Sequence, residues 1–349
     1  MILNTIMETK TTLSVALCTC NGEKYIEEQL LSILQQDLSV DEIVVSDDLS
    51  TDATLDIVSS IASTTSIPIR ILTNNTSSHY GVCANFEKAI NATTGDIIFF
   101  SDQDDVWKPY KTKIISDWFE KYTDKTMVFT DAVLVDEYGD PILRENNEPL
   151  TIVNNLQTSY DVLNKLCRSP YLLEAYLNRS FYTGATMAVR RSLVHQVPLL
   201  QLGEGKLHHD IIIALLAIDA GSVLFVPQPL IQYRIHAKQV TSLPVVKSVG
   251  SIASMESFLY PKGSCVMHIK FDKWPLNEDT KKRIHFYEYR YRLFINKIPI
   301  MLFLSFHRYY QIYGDFYMWR VDVNYATKLF FFKMHNFLRK HMPIHLFNS

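Results

Sequence analysis

Four short apolar runs in the first hundred residues each end in a polar cluster, and the first three lead into a segment of helical period. The first, Leu13-Ser14-Val15-Ala16-Leu17-Cys18, runs into Thr19-Cys20-Asn21-Gly22-Glu23 and then a helix with Ile26, Leu30, Ile33 and Leu34 on one face. The second, Glu42 to Ser46, ends in Asp47-Asp48-Leu49-Ser50-Thr51-Asp52 and a second helix. The third, Ile67 to Leu72, is followed by Asn74-Asn75, a turn at Gly81 and a helix over Val82 to Ala92. The fourth, Asp96 to Phe100, ends in Ser101-Asp102-Gln103-Asp104-Asp105-Val106-Trp107. Strands alternating with helices of this length predict βαβ units and a parallel sheet. Right-handed crossovers then put every strand-end cluster on one edge of that sheet, so Cys20-Asn21, Asp47-Asp48 and Asp102–Asp105 converge on one crevice.

That crevice is acidic. Three carboxylates fall within four residues at the end of the fourth strand, and like charges so close repel. A divalent cation removes the objection. Hard oxygen ligands suit Mg²⁺ or Mn²⁺, which are typically held by one or two carboxylates plus substrate phosphates. A solvated acidic turn is the competing reading. The sequence has no G-x-G-x-x-G after the first strand and no G-x-x-x-x-G-K-[ST], which argues against nicotinamide dehydrogenases and P-loop kinases. A sugar nucleotidyltransferase would need a glycine-rich first loop bearing Arg or Lys, and none is present.

Taken with Gly81, Asn85-Phe86, Gly184-Ala185-Thr186-Met187, His209-Asp210 and Tyr233-Arg234-Ile235-His236, these clusters resemble glycosyltransferase family 2, with the GT-A fold. The D-Q-D-D-V-W form is similar to the rhamnosyltransferase-like branch, which uses dTDP-rhamnose or related donors. The resemblance covers roughly residues 12–240. Two positions depart from the family pattern: Cys20 stands where an aromatic is common, and Leu49 replaces the usual Gly of its turn.

The resemblance implies an inverting single displacement from a dTDP- or UDP-sugar to a hydroxyl of a glycan or lipid-linked oligosaccharide. In it Asp104 binds the metal, Asp102 contacts the ribose or the metal shell, and His236 completes that shell. Asp47 or Asp48 hydrogen-bonds the pyrimidine and the Thr19–Asn21 backbone packs around the base. Glu23, Asn85 and Gln103 are further donor contacts, and Arg234 pairs with phosphate oxygens. Trp107, Gly184, Thr186 and His209 fall on the acceptor side. Asp210 is the expected general base, although Asp is also among the best helix N-caps, and His209, which could also orient Asp210, reads at least as well as a packed, hydrogen-bonded histidine. Asp131 is a weaker donor-side candidate, and Asp136–Asp140 reads as a D-E-Y-G-D hairpin turn.

The sequence divides into a GT-A domain over 1–240, with a donor half about 12–135 and an acceptor half about 136–240. An irregular connection with Pro244, Pro261, Gly263 and Pro275 follows over 241–277, then a helical extension over 278–349. Five scattered cysteines form neither a disulfide framework nor a zinc spacing. The first residues lack the basic stretch of a signal peptide, and no apolar run approaches the ~20 residues that span a bilayer. The net charge of −3 hides an asymmetry: over 281–349, twelve Lys and Arg stand against Glu288, Asp315 and Asp322, giving +9 there and −12 elsewhere. Basic residues interleaved with aromatics suit an anionic membrane surface. Packing on the catalytic domain and a homodimer interface remain open alternatives. With an acidic site and no recognised module, nucleic acid is not an expected partner. The expected location is the cytoplasm, peripheral to the inner face of the cell membrane.

Overall fold

The computed structural model describes residues 10–156, 158–178, 181–237, 239, 245 and 271–285. These fall into two compact units. The larger holds 10–168, 181–245 and Lys273–Pro275, and the smaller holds 169–178, 271–272 and 276–285. In the smaller unit, helix 172–178 carries Glu174, which forms a two-point ion pair with Arg283 at 2.8 and 2.5 Å.

The larger unit is built on one eight-stranded sheet. Its strands are β1 (Leu13–Thr19), β2 (Glu42–Asp47), β3 (Ile69–Thr73), β4 (Ile97–Ser101), β5 (Val106–Trp107), β6 (Met127–Val135), β7 (Met187–Arg190) and β8 (Val223–Arg234). They lie in the order β3-β2-β1-β4-β7-β6-β8-β5. β1 to β4 are mutually parallel, β7 runs against β4 and β6, and β6 and β8 are parallel. Every residue of β1, β2 and β4 is buried, as expected for parallel strands covered on both faces. Connecting helices α1 (Ile26–Leu34) and α2 (Thr54–Ala62) follow β1 and β2 as expected, α3 (Val82–Ala92) has the bounds its sequence predicts, and α4 (Lys111–Lys121) follows β5. Ile26, Leu30 and Ile33 of α1 join Val15, Leu17, Ile43, Val45, Ile97 and Phe99 in the main core.

Register places the polar ends together. Thr19 lies beside Asp47, Asp47 beside Thr73, and Leu17 beside Ser101. The α/β sheet with a parallel donor half is therefore as expected. Two parts differ. β3 begins at Ile69, not Ile67, because Pro68 has no amide to donate to the ladder. The run Ser222–Val226 reads in sequence as a strand and Pro227–Pro229 as a loop after it, but one strand, β8, runs from Val223 through both, with a register shift opposite Thr130-Asp131 that absorbs the prolines. Residues 136–140 turn as expected: the Gly139 N–H bonds Asp136 O at 3.1 Å and the Asp136 N–H bonds Asp140 O at 2.9 Å.

Helices α5 (Ile152–Asn155), α6 (Tyr160–Cys167) and α7 (Leu172–Asn178) come between β6 and β7 in the chain, and α8 (Arg191–Val194), α9 (Leu199–Leu202) and α10 (His209–Asp219) between β7 and β8. Most of 241–277 and all of 286–349 lie outside the described residues, and with them fall the expectations of a membrane surface and a homodimer.

The β2 end carries a backbone feature with a measurable cost. Leu49 sits at φ +60°, in the left-handed region, where a non-glycine residue costs roughly 1–2 kcal/mol. Leu49→Gly is expected to raise the unfolding free energy by up to about 1 kcal/mol, and Leu49→Val, stiffer at Cβ, to lower it. Urea denaturation of the three proteins checks the order.

Candidate active site

The loops at the β1 and β2 ends hold each other before any ligand arrives. Thr19 Oγ1 donates to Asp47 Oδ1 at 2.7 Å, and Ser50 gives the same carboxylate its hydroxyl at 2.5 Å and its N–H at 2.9 Å. Asp48 accepts from Asn74 Nδ2 at 2.7 Å and from the Tyr80 and Gly81 amides at 2.7 and 2.9 Å. Burial works to raise the Asp48 carboxyl, but these hydrogen bonds outweigh it and hold the group below its ordinary range. Asn85 is buried and bonds Ser46 O at 2.9 Å and Thr19 O at 3.4 Å, fastening β1 to β2. Glu23 accepts from Ala53 N–H at 3.0 Å, at the N-terminus of α2.

The expected donor contacts Thr19, Glu23, Asp47, Asp48 and Asn85 are therefore brought to one strand edge, where the bonds above go into shaping it and Asn85 Oδ1 is left without a hydrogen-bond partner. The surface left open is Cys20-Asn21. A paired amide contact secures it: Cys20 N–H donates to Gln103 Oε1 at 2.8 Å, and Gln103 Nε2 donates to Cys20 O at 3.1 Å. This clasp requires glycine at 22, because a Cβ there would stand 2.3 Å from Gln103 Oε1.

At the β4 end, Asp104 Oδ2 lies 2.8 Å from His236 Nε2. Burial, then the neighbouring charges of Asp104 and Asp210, push the Asp102 carboxyl up to about 7, with Lys111 pulling the other way. Burial and the charges of Asp104 and Asp102 likewise push Asp105 up. Asp105 is buried; Oδ1 accepts the Arg234 N–H at 3.0 Å and Oδ2 has no hydrogen-bond partner. Among the described residues no three His, Cys, Asp or Glu side chains form a metal cage. The mutual repulsion of these acids and the Asp104–His236 contact nevertheless fit a hard dication that takes few protein ligands and fills its shell with phosphate and water.

Three expected placements differ in the structure, and His209 takes its packed reading without the hydrogen bonds. Arg234 does not face a phosphate. Its side chain is 2% exposed, its Nη2 meets Glu28 Oε2 at 2.6 Å, its Nε bonds Asp104 O at 2.8 Å, and Nη1 reaches Asp136 O and Glu137 O at 3.5 and 3.4 Å. The guanidinium fork is spent on bracing the acidic turn. Trp107 is not on an acceptor wall: β5 turns its ring into the core beside Phe99. Thr186 is buried, and its hydroxyl bonds Thr183 O at 2.8 Å. His209 is buried too, stacked on Phe86 at 3.6 Å with its edge to Phe100. Neither of its nitrogens has a hydrogen-bond partner, and burial lowers its basicity to about 3. Gly184 makes room for that ring, since a Cβ there would stand 2.8 Å from His209 Nε2. Asp131, the weaker donor candidate, is also internal: it accepts from Ala132 N–H, Val153 N–H and Tyr160 OH at 2.8, 3.0 and 2.9 Å.

Asp210 remains half-buried and available. The N-cap of α10 is His208, so Asp210 lies in the first turn rather than capping it. It accepts Ile211 N–H at 2.8 Å and Gly184 N–H at 3.3 Å, and burial raises its carboxyl above the ordinary range. Lys111 was not anticipated from sequence. It is fully buried at the start of α4, donates to Ala185 O at 2.9 Å, and lies 3.8 Å from the Trp107 ring centre. Its i, i+4, i+8 alignment with buried Ile115 and Phe119 was the available signal.

The glycosyl transferase family 2 model matches residues 14–197, and the chain belongs to that family. Among curated relatives, the dTDP-rhamnosyl transferase RfbG of Shigella flexneri is 43% identical over 102 residues, 28% of this chain and 34% of that protein. The putative glycosyltransferase EpsE of Bacillus subtilis is 31% identical over 126 residues, 36% of this chain and 45% of that one. The chain thus spans less than half the length of these two relatives. Among solved structures, a mannosyltransferase from Pyrobaculum calidifontis in complex with GDP-Man and Mn²⁺ has a TM-score of 0.48 at 19% identity, over 66% of this chain and 59% of that one. S. aureus TarS in complex with UDP has a TM-score of 0.45 at 18% identity, over 64% and 60%.

Because His209 is held neutral, the unfolded chain binds an extra proton between pH ~3 and ~6.5 and stability rises with pH across that window. Lowering the pH from 7 to 5 is expected to cost about 2 kcal/mol more in the parent than in His209→Gln, read from urea midpoints of both proteins at both pH values.

Proposed function

We propose that the chain is an inverting glycosyltransferase that moves a sugar from a nucleoside-diphosphate donor to an acceptor hydroxyl. The observation that carries the reading is the pairing of an acidic strand edge, Asp102, Asp104 and His236, with a separate half-buried carboxylate, Asp210, which burial raises above its ordinary range. One group of residues suits a diphosphate, and the other suits a proton.

Asp104 and His236 would hold Mg²⁺ or Mn²⁺, with Asp102 at the margin. When bound, such a metal supplies a Lewis acid against the charge of the leaving diphosphate. The Cys20-Asn21 edge, fixed by Gln103, lines the base. Asp210 accepts the proton of the attacking hydroxyl, and its raised carboxyl makes it a stronger base than an ordinary aspartate. The Gly184 and Ile211 amides aim it. No protein nucleophile is needed for a single displacement.

Likeness to the Shigella dTDP-rhamnosyl transferase supports rhamnose from dTDP-rhamnose as the sugar, with a UDP-sugar as the alternative. The acceptor we favour is a glycan or lipid-linked oligosaccharide in cell-surface polysaccharide synthesis. The basic, aromatic extension, residues 278–349, would seat the enzyme on the inner face of the membrane.

Thermal stability against dTDP, UDP, GDP and CMP, each with and without Mn²⁺, tests the donor site. A nucleotide at 100 times its Kd adds about 2.7 kcal/mol. dTDP or UDP is expected to give a metal-dependent shift, and Asp104→Asn to abolish its metal-dependent part. Asp210→Asn is expected to keep the shift while transfer falls on the order of 10²–10⁴-fold. No shift with any nucleotide overturns the donor site in favour of a silent scaffold, and parental transfer by Asp210→Asn removes that residue as base.

A further inference from the structure

Lys111 has no part in the reading above, yet it joins the two halves of the site. It lies on α4, just after the acidic loop, and is 0% exposed. Its ammonium donates to Ala185 O at 2.9 Å. Ala185 belongs to the turn Gly184–Thr186, which Thr186 closes by giving its N–H to Thr183 O at 2.9 Å. The preceding residue of that turn, Gly184, donates its N–H to Asp210 Oδ2 at 3.3 Å. The indole of Trp107, two residues past Asp105, forms the floor under the ammonium at 3.8 Å. A continuous path therefore runs from the acidic loop through Trp107 and Lys111 to the turn that holds the candidate base.

Stability alone is a poor reason to keep a cation here. Burying an ammonium carries a desolvation penalty of several kcal/mol, and an apolar side chain of like volume is often as stable or more so. The buried cost shows in the ammonium itself, whose basicity falls to about 7 although Asp105 and Asp102 pull it up. Arg234, the other buried cation at the acidic loop, already has Glu28 as its partner.

We infer that Lys111 is a positioning residue for the transfer step: it sets the spacing between the donor-binding acidic loop and the 184–186 turn that aims Asp210. The inference rests on the transferase reading. Misplacement of reacting groups by about 1 Å can cost on the order of 10²-fold in rate, whereas donor binding at the Cys20–Gln103 edge does not involve this bond.

The test compares the full chain with Lys111→Met, which removes the donor to Ala185 O, and Lys111→Gln, which keeps a donor of shorter reach. Folding is checked by thermal unfolding, nucleotide Kd by titration with dTDP or UDP and Mn²⁺, and kcat with the donor sugar found active for the parent. Lys111→Met is expected to lose kcat by about a hundredfold and Lys111→Gln by about tenfold, with nucleotide Kd within about threefold of the parent in both. Parental kcat in either folded variant overturns the inference. So does a fall in nucleotide affinity that matches the fall in kcat, since that marks general damage to the fold. If Lys111→Met does not fold, Lys111→Gln decides on the same criteria. An inactive parent removes the transferase reading and this one together, while an active parent with an equally active variant removes this one alone.

Discussion

At 4 Å separation two like charges oppose each other by about 4 kcal/mol at the effective dielectric of a protein surface, and the end of β4 gathers three of them in Asp102, Asp104 and Asp105. Much of the surrounding arrangement offsets that repulsion. Arg234, drawn from the far end of β8, gives its N–H to Asp105 and its Nε to Asp104 O while pairing its charge with Glu28. His236, two residues on, meets Asp104. Asp102 and Asp105 still sit well above the ordinary carboxylate range, burial first and neighbouring charge second. The protein therefore compensates the acids only in part, and under the proposed reading a dication would make up the deficit.

The same partition by burial runs through α10. His209 and Asp210 are adjacent, so about 100° of helix separates their side chains. One turns under Phe86 and Phe100 and is kept neutral, and the other remains at the margin, held by two amides near the positive end of the helix. Burial thus removes basicity from the histidine and adds it to the carboxylate, which leaves Asp210 as the proton acceptor of the pair.

Much of this was legible in the sequence because it depended on period and on strand ends. The four parallel strands and α3 announce themselves through continuous apolar runs and helical spacing, and their polar ends must share an edge once the sheet is parallel. What local pattern could not carry was direction. Arg234 has the residue type a phosphate would want, but whether its fork points at solvent or at Glu28 depends on a residue 206 positions away. Trp107 drew an acceptor-side role from the resemblance of its D-Q-D-D-V-W motif; a strand of two residues is too short for alternation to reveal that its ring faces the core. Pro227 and Pro229 argued against a strand, and only the register shift opposite Asp131 accommodates them in β8. Leu49 was visible as a departure from the family's glycine, and its left-handed backbone supplies the physical reason that glycine is usual there.

Arg234 and Lys111 show two ways of keeping a buried cation beside the same acids. An arginine has five N–H donors in a fixed fork and stays charged in proteins, so carbonyls of Asp104, Asp136 and Glu137 with one carboxylate suffice to hold it. A lysine loses its proton more readily when buried. Lys111 has one carbonyl and one indole face, and the remaining support is the field of Asp105 and Asp102. Its charge therefore depends on theirs, just as their ionisation depends on it.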